Sequence, residues 1–271
     1  MSYLADELAE FLTEQSLFNE LANIDGEVFR DVAGRRTFRF VRNNKAYFAK
    51  VHFGVGWWEI VKNLLQLRLP VLGAKNEWRA VQKLNALSVE TMNAVAYSTE
   101  GRNPARLRSC IVTEALDHTI SLEDLVLNQQ VTPRLKKQLV VRLAKTSKVL
   151  HSNGVNHRDY YLCHFLLSND SLEGDQVNQL YLIDLHRVQI RRQVPQRWLE
   201  KDLAGLLFSA ADAGLTRRDV YRFIQIYSGK PLREALKDDR RFWQRVAVKA
   251  NRLYQKDQGK PNQFLIELDH D

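Results

Sequence analysis

The sequence predicts an α+β fold of two lobes, a small β-rich lobe followed by a larger helical one. Three observations predict it. Short runs of β-branched and aromatic residues, broken by Gly and Asn turns, fill the first third of the chain. Apolar residues at helical spacing dominate the remainder. A polar triplet, His157-Arg158-Asp159, follows a long helical pattern at once, where a packed lobe would set out its reactive groups. With 271 residues, 45% of them hydrophobic, the chain can bury a core of that size.

Residues 1–25 read as an N-terminal helical extension whose buried side is Phe11, Leu12, Leu17, Phe18 and Leu21. The small lobe is expected over 26–115. It opens with strands Glu27–Val32, Thr37–Val41 and Lys45–His52, joined by the turns Ala33-Gly34-Arg35-Arg36 and Asn43-Asn44. A helix over 57–69 places Trp57, Ile60, Val61, Leu64 and Leu65 on one face, and Pro70 stops it. Such a Trp/Leu stripe is read first as packing onto the small lobe. With Leu67, Lys62 and Arg68 it also suits a membrane surface or the acyl part of a glycolipid. A helix over 74–87 follows, then strands 92–97 and 109–115 around a polar loop, 99–108, that carries Arg102, Arg106 and Arg108. The larger lobe is expected over 116–271. Thr132 and Pro133 form an N-cap and N1 pair for its long helix. Leu135, Leu139, Leu143 and Leu150 line that helix, and Gly154 suits a left-handed cap.

Charge narrows the partners. Forty Lys and Arg against 32 Asp and Glu give a net charge of +8 and a pI near 9.5. That balance favours nucleotides, phosphorylated lipids or a small acidic protein. Nucleic-acid binding is disfavoured, because neither an aromatic–basic run nor zinc-finger spacing is present. Cys110 and Cys163 make no disulfide framework, which fits a reduced, cytoplasmic setting. The opening MSYLADELAEFL lacks a basic, apolar signal pattern, and no apolar run approaches the roughly 18 residues of a spanning helix. Membrane contact is therefore expected to be peripheral.

The polar residues point to phosphoryl transfer from a nucleotide. That chemistry needs one carboxylate to take the acceptor's proton and another to hold magnesium on the phosphates. Asp159 is the candidate base, with His157 and Arg158 holding its loop. Asp184 ends the apolar strand Leu180-Tyr181-Leu182-Ile183 and is the candidate Mg²⁺ ligand, since hard cations take oxygen ligands. Lys50 ends Tyr47-Phe48-Ala49-Lys50; alternation puts Phe48 on its face, one over the base and the other on phosphate oxygens. Glu77 is preferred to Glu59 as the partner of Lys50, because its helix directly precedes strand 92–97. The lobes should meet near Glu114–Leu116, with nucleotide in the crevice there. Glu114 and Leu116 are thus further nucleotide-binding candidates, as are Gly34 and Arg35 in the loop expected over the phosphates. Arg187, Arg191, Arg192 and Arg197 crowd the segment after Asp184 and suit an acceptor that already carries phosphate or carboxylate.

These residues together resemble the lipopolysaccharide core heptose kinases of the Kdo/WaaP family, which share the protein-kinase fold. The matching motifs are Asn156-His157-Arg158-Asp159-Tyr160-Tyr161-Leu162-Cys163-His164-Phe165-Leu166-Leu167, Ile183-Asp184-Leu185-His186-Arg187 and Lys201-Asp202-Leu203-Ala204. Between Gly54 and Glu77, Trp57, Lys62-Asn63-Leu64-Leu65 and Pro70-Val71-Leu72-Gly73-Ala74 look specific to that group. The resemblance runs from Gly34 to about Tyr227. It implies ATP- and Mg²⁺-dependent phosphorylation of a heptose hydroxyl, O4 of the first heptose, on lipid A–core glycolipid at the cytoplasmic face of the inner membrane. It also makes Lys50 and Glu77 the phosphate-clamping pair, and Asp202 the helical aspartate that steadies the catalytic loop.

Two departures from protein kinases stand out. No G-x-G-x-x-G is present, so Arg35 and Arg36 are expected to supply charge where glycine amides would bind phosphate. His164 stands where protein kinases place a metal-binding asparagine. It is a second candidate ligand beside Asp184, or a contact through water or to substrate, because imidazole suits Mg²⁺ poorly. Another acceptor sugar (Kdo or the second heptose) or an aminoglycoside is the nearest alternative. A non-catalytic scaffold would dispense with Lys50, Asp159 or Asp184, and all are present.

Overall fold

The computed structural model describes residues 2–32, 34–65 and 72–270. The chain divides into two compact units: Met1–Lys83, Met92–Asp117 and Leu185–Arg187 form the first, and Leu84–Thr91, His118–Asp184 and Val188–Asp271 the second.

The first unit is built on an antiparallel sheet. Among the described residues its strands are β1 (Ser2–Leu4), β2 (Glu27–Val32), β3 (Arg35–Arg42), β4 (Lys45–His52), β5 (Ala94–Glu100) and β6 (Arg108–Glu114), in the order β1-β5-β6-β4-β3-β2. Asn43 and Asn44 turn the β3–β4 hairpin in the left-handed region that asparagine tolerates best among side-chain-bearing residues. Alternation then sorts β4. Tyr47, Ala49 and Val51 enter a core with Phe38, Phe40, Val112 and Ala96, while Phe48 and Lys50 take the opposite face.

That core is closed by the N-terminal segment. Leu8 and Leu12, then Leu17, Phe18 and Leu21 of helix α1 (Leu17–Ala22), are buried in it. The expected helical extension over 1–25 is therefore corrected: it contributes an edge strand paired with β5 and one wall of the sheet's core. Phe11, expected inside, lies in the turn before α1 and is exposed.

Helix α2 (Gly56–Leu65) also departs from expectation. Ile60 is buried at 7% exposure, but Trp57, Trp58, Val61 and Leu65 face solvent. The core reading is overturned for Trp57, Val61 and Leu65 and holds for Ile60; the side chain of Leu64 lies outside the described residues. The expected continuation over 66–69, its stop at Pro70, and Ala33 in the first turn lie outside the described residues. Helix α3 (Lys75–Ala86) packs conventionally, burying Trp78, Ala80 and Val81 with Glu77. Trp78 stacks on Tyr97 at 5.1 Å.

The second unit is mainly helical. Strand β7 (Thr119–Ser121) leads into α4 (Leu122–Leu127) and α5 (Pro133–Ser152). Thr132 caps α5, its hydroxyl accepting from the Leu135 amide at 3.0 Å. Then come β8 (Val155–Asn156), β9 (Phe165–Ser168), α6 (Asn169–Glu173), β10 (Leu180–Leu182) and β11 (Gln189–Ile190). Here β9 lies between β10 and β7, and β11 pairs with β8. Helices α7 (Gln196–Ser209), α8 (Arg217–Ser228), α9 (Leu232–Asp238), α10 (Arg240–Gln258) and α11 (Gln263–His270) complete the unit. Leu203, Ala204, Val246, Ala250 and Leu265 form a core among them. An apolar cavity nearby is lined by Leu143, Leu206, Phe223, Ile224 and Trp243.

Candidate active site

In the first unit, Lys50 Nζ donates to Glu77 Oε1 at 2.6 Å. Glu77 is only 2% exposed, whereas the lysine reaches solvent at its tip. A buried carboxylate with a charge-assisted bond of this length fixes the ammonium in one place. Glu59, the other glutamate weighed for this role, instead reaches Lys62 at 3.5 Å on α2.

Strand register decides what else shares the face of Lys50. In β3, Thr37 lies directly across from Lys50, Arg35 from His52 and Arg39 from Phe48. Directly opposed residues project to the same side, so Arg35 lies on the lysine's face. Arg36 does not. It donates to the Ala22 carbonyl at 3.2 Å and lies over the Phe38 ring, on the core side. Of the two arginines expected to stand in for glycine amides, Arg36 is thus turned away from the face of Lys50 and only Arg35 shares it. This face is electropositive: burial, then the charges of Arg35 and Lys50, push the His52 imidazole down to about 4.

Phe48 is edge-on to Phe29 of β2 at 5.3 Å. Gly34 has φ +84°, and a Cβ there would collide with the Gly54 carbonyl. Its own carbonyl accepts from the Phe53 amide at 2.9 Å. Glycine is thus required here by the close approach of two backbone segments. At the end of β6, Glu114 is bonded by Asn93 and lies 3.6 Å from Lys45; its amide donates to Asn93 and the Ala115 amide to Ala46. Leu116 follows directly after this anchored end.

In the second unit the His157-Arg158-Asp159 triplet is held through its backbone. Gly154, at φ +77°, lets β8 start against the Arg191 carbonyl, where a Cβ would clash. Asp202 of α7, fully buried, accepts the amide of His157 at 2.6 Å and that of Arg158 at 2.9 Å. A carboxylate taking two amides is a strong anchor. It fixes Arg158 at φ +77°, a left-handed conformation that costs a non-glycine residue about 1 kcal/mol or more. His151 Nε2 stands 3.6 Å from Asp202, and its Nδ1 meets the Tyr227 hydroxyl at 2.9 Å. The His157 Nε2 donates to the Ile183 carbonyl at 3.0 Å, and burial pushes this imidazole's pKa down, so it stays neutral.

The same bonds bring Asp159 and Asp184 onto one network. His164 Nδ1 donates to the Asp159 carbonyl at 2.6 Å. Because a carbonyl only accepts, this nitrogen carries a proton, and Nε2 is the atom turned to Asp184, 3.5 Å from its Oδ2. The Ile183 amide, next in chain to Asp184, donates to the His164 carbonyl at 2.9 Å. Asp184 has φ +59°, a conformation aspartate tolerates better than most. Among the described residues, no three His, Cys, Asp or Glu gather as a metal cluster. A cation at Asp184 and His164 therefore needs further oxygens from a ligand.

The arginines after Asp184 part company. Arg187 falls in Leu185–Arg187, grouped with the first unit, where Asn76 donates to the His186 carbonyl. Arg192 is exposed. Arg191 and Arg197 converge with Arg158 and Lys201 on one ring, Trp198, at 6.0, 5.2, 5.0 and 5.6 Å from its centroid. Trp198, like Phe29, Thr37 and His52, was not among the candidates. Its signal was available: it is the aromatic inside the basic run that contains Arg197 and Lys201.

Comparison with known proteins decides the family. Residues 19–227 match the model of the lipopolysaccharide kinase (Kdo/WaaP) family. The chain belongs to this family. It is similar to the lipopolysaccharide core heptose(I) kinase WaaP of Escherichia coli K12, 43% identical over 263 residues that cover 96% of this chain and 99% of that protein. The protein of the same name from Pseudomonas aeruginosa is 47% identical over 246 residues, 89% of this chain and 91% of the relative. A solved structure described as WaaP in complex with acyl carrier protein superposes with a TM-score of 0.80 at 40% identity, covering 94% of this chain and 99% of that one. This family member is a sugar phosphotransferase with a kinase-like α+β fold.

Proposed function

We propose that the protein is a lipopolysaccharide core heptose kinase that transfers the γ-phosphate of ATP to O4 of the first heptose of the inner core. The observation that carries this reading is the chain of contacts Asp159–His164–Asp184, with Asp202 holding the loop beneath it. Asp159 takes the proton from the heptose hydroxyl as its oxygen attacks phosphorus in line with the departing ADP. The Glu77-fixed Lys50 and Arg35 neutralise phosphate oxygens, and Phe48 with Phe29 covers the base. Glu114 and Leu116 border the base, and the backbone turn at Gly34 lies over the phosphates. Asp184, with His164 beside it, would hold Mg²⁺, and the ion would supply charge neutralisation on the phosphates.

Four cations gather within about 6 Å of the Trp198 ring, each held there by the ring's quadrupole with about 0.5–1 kcal/mol. A cluster of this charge and geometry suits an acceptor carrying a carboxylate or phosphate, as an anionic inner-core sugar does. We assign Arg158, Arg191 and Arg197 to the acceptor, and with them Arg187 and Arg192 from the same segment. The lipid A–core acceptor places the enzyme peripherally at the cytoplasmic face of the inner membrane. Among the described residues no helix is long and apolar enough to cross a membrane. The net charge of +8 and the relative's complex support an acidic carrier protein as a second partner.

The test is a transfer assay with ATP on dephosphorylated core glycolipid, followed by mapping of the modified hydroxyl. Mg²⁺-dependent phosphate on O4 of the first heptose is expected. Label on Kdo or the second heptose, or none at all, refutes the assignment.

A further inference from the structure

Helix α2 is amphipathic in the wrong sense for a soluble protein. At 100° per residue, Trp57, Trp58, Val61 and Leu65 fall within one arc of roughly 100°. That arc faces solvent: Trp58 is 80% exposed and Leu65 81%. Ile60, outside the arc, is what seats the helix. Lys62 borders the arc. The helix packs beside the turn Pro104–Arg106, within the polar loop whose arginines no step of phosphoryl transfer uses. Arg102 and Arg106 are both exposed there, and Arg106 backbone lies against Gly54, just ahead of the helix.

We propose that α2 and the 102–106 loop form a membrane-docking surface that inserts Trp57, Trp58 and Leu65 into an anionic lipid surface. The proposal deepens the glycolipid reading above and rests on it for the choice of a membrane as occupant. Two further features favour lipid over an acidic protein. Adjacent tryptophans suit the headgroup level of a bilayer, where an apolar body and a polar N–H are both accommodated. The outermost side chains are apolar and the cations sit at their edge, the order in which a bilayer presents acyl chains and phosphates. A carrier-protein surface would reverse that weighting, with charge pairs at the centre.

The experiment is sedimentation of the full-length protein with vesicles of phosphatidylethanolamine and phosphatidylglycerol, against vesicles of phosphatidylcholine. Binding is expected to the anionic vesicles, to weaken with salt, and to blue-shift tryptophan emission. Trp57→Ala/Trp58→Ala/Leu65→Ala should lower the partition coefficient by about tenfold or more, since most of the exposed apolar area is lost. Its melting temperature should hold. Arg102→Glu/Arg106→Glu should cost about twentyfold or more on the anionic vesicles only. Unchanged partition of the triple variant overturns the proposal. So does loss of acyl carrier protein binding with vesicle binding intact, or a dimer of the wild type that the triple variant breaks. A fall in melting temperature returns the stripe to the core and overturns it as well. Sedimentation needs neither ATP nor acceptor, so a failed transfer assay and a failed vesicle assay are separable results.

Discussion

The Lys50–Glu77 pair of the first unit and the His157-Arg158-Asp159 loop of the second are held in opposite ways. Lys50 is positioned by one side chain acting on another, Glu77 at 2.6 Å, with the sheet behind it as a rigid base. Asp159 lies in a loop whose position is set two bonds away, by Asp202 gripping the amides of His157 and Arg158. The first arrangement is local and needs only two residue types in register. The second is a backbone object, and it carries strain at Arg158 that α7 must hold in place. Changes at the first should therefore alter chemistry with little effect on folding, whereas changes at the second should alter both.

The largest expected effect breaks the loop's chemistry without touching its support. Asp159→Ala should lower kcat by roughly 10²–10⁴-fold while calorimetry finds nucleotide affinity nearly unaltered. Turnover near that of the wild type would assign the base elsewhere. Next comes the support itself. Asp202→Ala leaves two buried amides without an acceptor and should cost roughly 3–5 kcal/mol of stability along with activity. Urea unfolding measures the first loss; a variant of ordinary stability and low kcat would show that Asp202 acts on substrate instead.

The legibility of the sequence follows the same division. Glu77 could be chosen over Glu59 because helix order and strand order constrain which glutamate reaches a strand lysine. Asp159 and Asp184 were legible as candidates because a His-Arg-Asp triplet after a Gly-ended helix and an aspartate ending an apolar strand downstream together make a kinase-like pattern, although either alone is an ordinary turn. What escaped was information carried by register and exposure. Arg35 and Arg36 look equivalent in sequence, yet pairing with His52 and Val51 sends them to opposite faces. Ser2–Leu4 is too short to declare itself a strand until β5 is present to pair with it. The α2 stripe has a core-like pattern, and only the position of Ile60 shows that its apolar arc faces outward. Trp198 was passed over because an aromatic in a basic run has no motif of its own.

A smaller effect probes the electrostatics of the lysine face. The His52 imidazole has an ordinary pKa of 6.5 and about 4 in the folded protein, so the folded state binds fewer protons across that window. Its contribution to stability is complete above pH 6.5 and is lost as pH falls toward 4, by up to about 3 kcal/mol. Buried, neutral His157 adds to the same slope. Unfolding free energies across that range should decline with acid, and His52→Asn should flatten the decline. A slope unchanged in the variant would mean that burial and the charges of Arg35 and Lys50 do not hold His52 neutral in the folded protein.

The last effect returns to the contrast between a pair and a loop. In Glu77→Gln the amide oxygen can still accept from Lys50, so the bond survives without its charge. The loss should be roughly 1.5 kcal/mol, about tenfold in kcat/KM for nucleotide. Stability should not fall with it. The change removes a charge that is 2% exposed and leaves a lysine whose side chain keeps 23% exposure, so the desolvation penalty relieved offsets the attraction lost. Asp202 offers no such separation, because the groups it holds are the backbone amides that set the loop itself. If Glu77→Gln lowers the melting temperature as much as the equivalent Asp202→Asn, the two supports are alike, and the lysine pair is part of the unit's folding core rather than a device set upon it.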